Sequence, residues 1–181
     1  ISYKVLLDVA VRIGKHIKKR CLVFLLSNNN FESVAGYLGF MMAKAVPILL
    51  NSTINKTFFS DLLETYKPEY IFLPTKIPQS NFNFTAAYSY SSYTLFKTDY
   101  NIDYTLHDDL ALLLTTSGST GSPKFVRQSY KNIYSNAKSI TQYLGITSAD
   151  RPITTMPLSY SYGLSIINSH LLKGASIILT D

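Results

Sequence analysis

The stretch Leu110-Ala-Leu-Leu-Leu-Thr-Thr-Ser-Gly-Ser-Thr-Gly-Ser-Pro-Lys124 runs a short apolar segment directly into a polar loop. From Thr115 to Ser122, six of the eight residues carry a hydroxyl and the other two, Gly118 and Gly121, are glycine. Glycines let the backbone turn its amides toward one point with no Cβ in the way. Successive amides in such a turn form an anion nest, and the hydroxyls add donors that rotate to suit. Pro123 fixes the backbone just ahead of Lys124, whose ammonium supplies a full positive charge for a polyphosphate. A strand that ends in this loop sets it at the carboxyl edge of a parallel sheet, where α/β folds bind their ligands. The spacing is neither G-x-x-x-x-G-K-[ST] nor G-x-G-x-x-G. The two glycines stand three apart, the lysine lies three beyond the second, and Phe125-Val126 follows where a P-loop would open a helix. A flexible Ser/Gly linker has no need of an apolar strand before it or of Pro-Lys after it.

Outward from the loop, the chain alternates helical and strand patterns. Upstream, Val5, Val9, Ile13 and Ile17 recur every four residues, which predicts a helix over 3–20. Cys21-Leu-Val-Phe-Leu-Leu26 reads as a strand buried on both faces, and Ser27-Asn-Asn-Asn30 as a turn that caps the next helix, 31–45. Val46–Leu50 is a second buried strand, with Pro47 tolerated near its start or at an edge. A third helix over 56–66 and a third strand, Tyr70–Pro74, complete a βα lobe over 1–74. That order predicts a parallel sheet with right-handed crossovers and helices on both faces. Residues 75–108, rich in Ser, Asn, Thr and Tyr, read as a variable loop with a short hairpin. The segment 109–181 resumes the alternation. It holds strands over 110–115 and 125–128, then a helix over 130–144 with Ile133, Ala137, Ile140 and Leu144 inward and Gly145 as its cap. A strand over 151–155, a helix over 163–172 and a strand over 175–179 follow.

Of the 181 residues, 46% are hydrophobic and 15% charged, which favours a globular fold over a disordered one. The net charge of +6 is scattered. Its densest run, Lys15 to Arg20, reads as a solvated helix end rather than a nucleic-acid or membrane patch. The apolar stretch 34–50 breaks before the roughly 20 residues a membrane span needs. A single cysteine, Cys21, excludes an internal disulfide framework and fits a reducing, cytoplasmic compartment. No signal peptide is visible. The chain opens on Ile1 and closes on an apolar run, which predicts a truncated N-terminal portion of a larger domain. His107 beside Asp108 and Asp109 makes a poor chelate, because neighbours on a strand face opposite ways. His16 and His170 have no partner at ligand spacing, so no metal site is expected from the side chains.

The run Thr116-Ser-Gly-Ser-Thr-Gly-Ser-Pro-Lys124 resembles the signature loop of the AMP-binding, adenylate-forming superfamily, which includes acyl- and aryl-CoA synthetases, luciferases and peptide-synthetase adenylation domains. Tyr37-Leu-Gly39 through Ala45–Asn51 is similar to that family's early helix–strand unit. Pro157-Leu-Ser-Tyr-Ser-Tyr-Gly163 resembles its Pro-x-x-His-x-x-Gly motif. The resemblance implies that Thr116, Ser117, Gly118, Ser119, Thr120, Gly121 and Lys124 hold the β- and γ-phosphates of ATP. It implies further that Tyr160 and Gly163 belong to the pocket for the substrate carboxylate. A tyrosine fills the place of the family's histidine but carries no proton near neutral pH. Phe125 replaces the family's usual glycine, with local repacking expected.

The implied chemistry is activation of a small carboxylic acid by ATP and Mg²⁺ to an acyl-adenylate, followed by transfer to a thiol, either CoA or the phosphopantetheine of an acyl carrier protein. No aspartate lies between Arg151 and Thr180, which favours an acyl or aryl acid over an α-amino acid. The motifs for adenine, for a magnesium-binding acid and for the mobile C-terminal lobe, with its adenylation lysine, are absent. No catalytic residue is therefore assigned, and these 181 residues alone are expected to be inactive. The alternatives are a non-catalytic nucleotide-binding or scaffold module with the same fold, and a different ATP-using enzyme such as a kinase.

Overall fold

A computed structural model describes residues 1–77, 84–115 and 124–180. In chain order the elements are α1 (Tyr3–Gly14), β1 (Leu22–Ser27), α2 (Phe31–Met42), β2 (Val46–Asn51), α3 (Lys56–Tyr66), β3 (Tyr70–Pro74), β4 (Thr85–Tyr90) and β5 (Tyr93–Lys97). They continue with β6 (Leu110–Thr115), β7 (Phe125–Ser129), α4 (Tyr130–Tyr143), β8 (Ile153–Thr154), α5 (Ser161–Leu172) and β9 (Ile178–Leu179). The main sheet runs β4-β5-β3-β1-β2-β6-β7, and β8-β9 form a separate parallel pair. The α/β class with a parallel centre is as expected: β3, β1, β2 and β6 are parallel neighbours. An antiparallel arm flanks the centre on each side. The expected hairpin in 75–108 is β4-β5, which pairs back onto β3.

The strands alternate their side chains between two cores. Val23 and Leu25 pack with Val34, Tyr37 and Phe40 of α2, with α1, and with Leu164 and Ile167 of α5. Leu22, Phe24 and Leu26 pack with Phe59, Leu62 and Leu63 of α3 on the opposite face. Pro47 sits inside central β2, not at an edge. The Val46 amide donates to Cys21 O on the β1 side (2.9 Å), so the Pro47 nitrogen faces β6. The β6 ladder begins only at Ile48, and no bond is lost there.

Three expectations are corrected. α1 ends at Gly14, so the basic run Lys15–Arg20 lies beyond the helix. Arg20 is no solvated helix end. Its guanidinium donates to the carbonyls of Lys44, His107 and Leu110, each at 2.6 Å, and ties the entry of β2 to the entry of β6. On α4, Leu144 is 63% exposed, and Thr141 and Ile146 are buried instead. Gly145, just past the helix, adopts a left-handed φ of 64° and turns the chain so that Ile146 enters the core. Finally, β6 and β7 are consecutive antiparallel strands, so the helix–strand alternation expected from 109 onward resumes only at α4.

The helix α1 lies on α2 through glycine. A Cβ on Gly39 would come within 2.5 Å of Ala10 O, a backbone atom that cannot swing aside. Gly39→Ala is therefore expected to cost about 1–3 kcal/mol of stability, seen as a lower urea midpoint. An unchanged midpoint would show that the two helices part freely.

Cys21 is buried, and burial first, then the charge of Glu69, pushes its thiol up to about 12 from 9.0. The folded protein thus holds this proton more tightly than the unfolded chain. That contribution to stability is complete at neutral pH and is lost as pH rises from 9 toward 12. A thiol reagent at mildly alkaline pH should leave Cys21 unmodified until denaturant is added; prompt labelling of the native protein would contradict its burial. No helix among the described residues is long and apolar enough to cross a membrane.

Candidate phosphate and carboxylate site

The chain leaves β1 through α2 on one face of the sheet and leaves β2 through α3 on the other. The strand order therefore reverses between β1 and β2, and a crevice opens at their carboxyl ends. Neutral polar groups fill it. Ser52, just past β2, donates to Asn28 Oδ1, just past β1. The Asn28 amide donates to Ser33 Oγ (3.0 Å) and Tyr93 OH (3.2 Å), and these two hydroxyls meet at 2.9 Å. Burial raises the Tyr93 phenol above its ordinary value, so it stays a neutral partner.

One strand over, β6 ends at Thr115, whose register partner on β7 is Phe125. The candidate phosphate residues Thr116, Ser117, Gly118, Ser119, Thr120 and Gly121 join these two positions and lie outside the described residues. Lys124 is described and is exposed immediately before β7. Phe125 does more than repack locally: its ring meets Tyr66, the last residue of α3, edge-on at 4.8 Å, and anchors one foot of the loop to the opposite core.

The segment carrying the other candidates follows β8. Tyr160 is 50% exposed at the N-cap of α5 and makes no side-chain cap bond. Its amide donates to Pro157 O at 3.0 Å, which closes the turn into the helix. Gly163 is buried in the first turn of α5, where a Cβ would come within 2.2 Å of Pro157 O and 2.6 Å of Met156 O. Only glycine lets the helix rest on that backbone.

Between α4 and α5 lies a groove of about 630 Å³ with Leu114 and Leu164 at its base and Asn132, Asn136, Ser165 and Asn168 among its walls. Among the described residues, no charged side chain lines it. Leu114 is one residue from the end of β6, so the groove opens beside the start of the candidate phosphate loop. Tyr162 lines the groove and Tyr160 does not. Asn132 and Asn136 lie off the apolar side of α4 that the periodicity marks; their spacing of four, on one face, is the signal the sequence holds for them. Behind the groove, the buried Tyr37 hydroxyl donates to Asn168 Oδ1 (3.2 Å). Burial pushes that phenol up to about 12, so it stays protonated.

The histidines have local work. His16 stacks on Tyr88 at 4.6 Å, and His107 Nδ1 accepts from the Asp109 amide at 3.2 Å. His170 Nδ1 lies 2.8 Å from Ile166 O, a pure acceptor, so that nitrogen carries the proton. Among the described residues, no group of three or more His, Cys, Asp or Glu converges to hold a metal.

A parallel α/β centre with a glycine–hydroxyl–lysine connection at its carboxyl edge defines a class of ligand-binding fold. The chain belongs to the AMP-binding enzyme family, whose model matches residues 1–181. It is 28% identical over 177 residues to the 2-succinylbenzoate–CoA ligase of Bacillus velezensis, covering 95% of this chain and 36% of that protein. It is 40% identical over 76 residues to the Bacillus subtilis ligase of the same name, covering 42% of this chain and 16% of that one. Among solved structures, it is similar to the o-succinylbenzoate CoA synthetase (MenE) of Bacillus subtilis in complex with the acyl-adenylate intermediate OSB-AMP. The TM-score is 0.80 at 22% identity, covering 99% of this chain and 50% of that one. The crystal structure of CmiS6 gives a TM-score of 0.81 at 18% identity, covering 98% and 44%. The chain thus spans about a third of the length of the first of these curated relatives.

Proposed function

We propose that the whole gene product activates a small carboxylic acid with ATP to an acyl-adenylate and then passes the acyl group to a thiol, with CoA favoured as acceptor over a carrier protein's phosphopantetheine. The observation that carries this is the loop Thr116–Lys124, with its ends at paired positions of β6 and β7 on the carboxyl edge. The CoA ligases among the relatives support the choice of acceptor.

In the first half-reaction a carboxylate oxygen of the acid attacks the α-phosphorus of ATP, which enters as its magnesium complex. The bond from the α-phosphorus to the bridging oxygen breaks, and pyrophosphate leaves. Thr116, Ser117, Gly118, Ser119, Thr120, Gly121 and Lys124 grip the leaving pyrophosphate and spread the charge that grows on it. In the second half-reaction the thiol sulfur attacks the acyl carbon, the acyl–oxygen bond breaks, and AMP leaves with that oxygen. No covalent protein nucleophile is required. The acid sits near the start of α5, with Tyr160 beside its carboxylate and Gly163 seating the helix. Among the described residues, those lining the neighbouring groove between α4 and α5, Tyr162 included, offer no carboxylate to an α-ammonium group, and this supports an acyl or aryl acid. A single cysteine, which leaves no disulfide framework within these residues, supports a reducing cytoplasmic setting.

Hydroxamate trapping across a panel of aryl, acyl and amino acids tests this directly. ATP-dependent hydroxamate with at least one aryl or acyl acid, and the matching CoA thioester when CoA replaces hydroxylamine, is expected. Trapping confined to α-amino acids would overturn the substrate class, and none with any acid would overturn the activity.

A further inference from the structure

The turn after β1 is three asparagines long, and each serves a different element. Asn30 caps α2 by accepting from the Ser33 amide at 3.0 Å. Asn28 closes the β1–β2 crevice. Asn29 reaches across to a part of the chain more than a hundred positions away. Its Nδ2 donates to Thr154 O, and its Oδ1 accepts from the Leu158 amide, both at 3.0 Å. One planar amide thus grips a carbonyl and an N–H on either side of Thr155-Met156-Pro157.

Besides these two bonds, the segment is held to the main sheet by Leu158, whose side chain is buried with Val23 and Leu25. β8 is two residues long and pairs only with β9, which is equally short. Leu158 is buried in the core below, and its amide is the one Asn29 takes. The backbone next to it, Met156 O and Pro157 O, is the surface on which Gly163 seats α5, and Pro157 O accepts from the Tyr160 amide. The chain of contact runs from the carboxyl end of β1 through Asn29 to Pro157-Leu158, and from there to Tyr160 and the first turn of α5.

We infer that Asn29 is a positioning residue for the carboxylic acid: through Thr154 and Leu158 it sets the height of Tyr160 and the start of α5 over the carboxyl edge of the main sheet. This rests on the proposed acid-activating function. An amide suits the task because it offers one donor and one acceptor on a short side chain. Aspartate keeps the acceptor for Leu158 but turns a second oxygen on Thr154 O.

The test compares wild type, Asn29→Ala and Asn29→Asp in the whole gene product. It reads KM for the acid, KM for ATP and kcat, together with hydrogen exchange of peptides covering 154–163. Asn29→Ala is expected to raise the acid KM about tenfold or more while the ATP KM stays within about twofold. Exchange should quicken over 154–163 and hold steady over β1 and β2. In Asn29→Asp, lowering the pH should restore part of the acid affinity, as the protonated carboxyl regains a donor. If both KM values are unchanged, or kcat alone falls in step with the folded fraction, Asn29 is merely structural and the inference is wrong. Unchanged exchange over 154–163 in both variants also overturns it. A wild type inert with every acid removes the proposed function and this inference with it, whereas an active wild type beside an Asn29→Ala variant of unaltered KM removes the inference alone.

Discussion

Gly163→Val is expected to destabilise the protein by about 3 kcal/mol, at the upper end of what overpacking costs, and to abolish adenylate formation. The Cβ alone would stand 2.2 Å from Pro157 O and 2.6 Å from Met156 O. Both are backbone atoms, so relief comes only by moving the first turn of α5 off the segment beneath it. That shift carries Tyr160 with it and pulls on Leu158, which is buried in the main core. The branched side chain adds more volume at the same point. Gly163→Ala should show the same loss in milder form. Urea midpoints and hydroxamate trapping check both variants; wild-type values for Gly163→Val would mean that α5 does not rest on Met156–Pro157.

Lys124→Met is expected to behave in the opposite way, with stability kept and chemistry lost. Lys124 is exposed, one residue ahead of β7. Replacing an exposed lysine costs no more than about 1 kcal/mol even where it has a partner. If its ammonium neutralises charge growing on pyrophosphate, removing it should slow adenylate formation by about 10²–10³-fold, the range seen when one stabilising donor is deleted. Lys124→Arg keeps the charge and should recover part of the rate. Full activity in Lys124→Met would take the lysine out of the site.

Elements with one dominant local signal were legible from the sequence. β3 at Tyr70–Pro74 and β6 at Leu110–Thr115 are continuous apolar runs, and α3 at Lys56–Tyr66 is stopped by Lys67-Pro68. The cap of α4 is equally local, a Ser129 hydroxyl and an Asn132 side chain three residues apart that bond each other's backbone amides. The direction of β7 was not legible, because Phe125-Val-Arg-Gln-Ser129 carries no sign of which way it pairs and the nine residues between Thr115 and Phe125 allow a hairpin. The end of α1 at Gly14 was not legible, because Ile17 continues the apolar spacing of four past the last helical residue.

The candidate site divides along the same line. The phosphate loop announces itself because its chemistry is concentrated in a few consecutive residues. The groove between α4 and α5 and the span from Asn29 to Leu158 exist only once distant segments meet. A run of asparagines after a strand predicts a helix cap, and Asn30 is one. Nothing local to Asn29 says that its partners lie at Thr154 and Leu158. Tyr160 was marked by its place in a motif, while Tyr162, two residues on, lines the groove.

The central claim is that an acid's own oxygen attacks the α-phosphorus of ATP while the loop ending at Lys124 holds the departing pyrophosphate. It is tested most directly by running the whole gene product through full turnover with an acid labelled by heavy oxygen in its carboxylate, together with ATP and CoA. AMP is expected to carry one heavy oxygen on its phosphate, because that oxygen stays behind when the thiol takes the acyl group. Unlabelled AMP, or ADP with the label in inorganic phosphate, would contradict it.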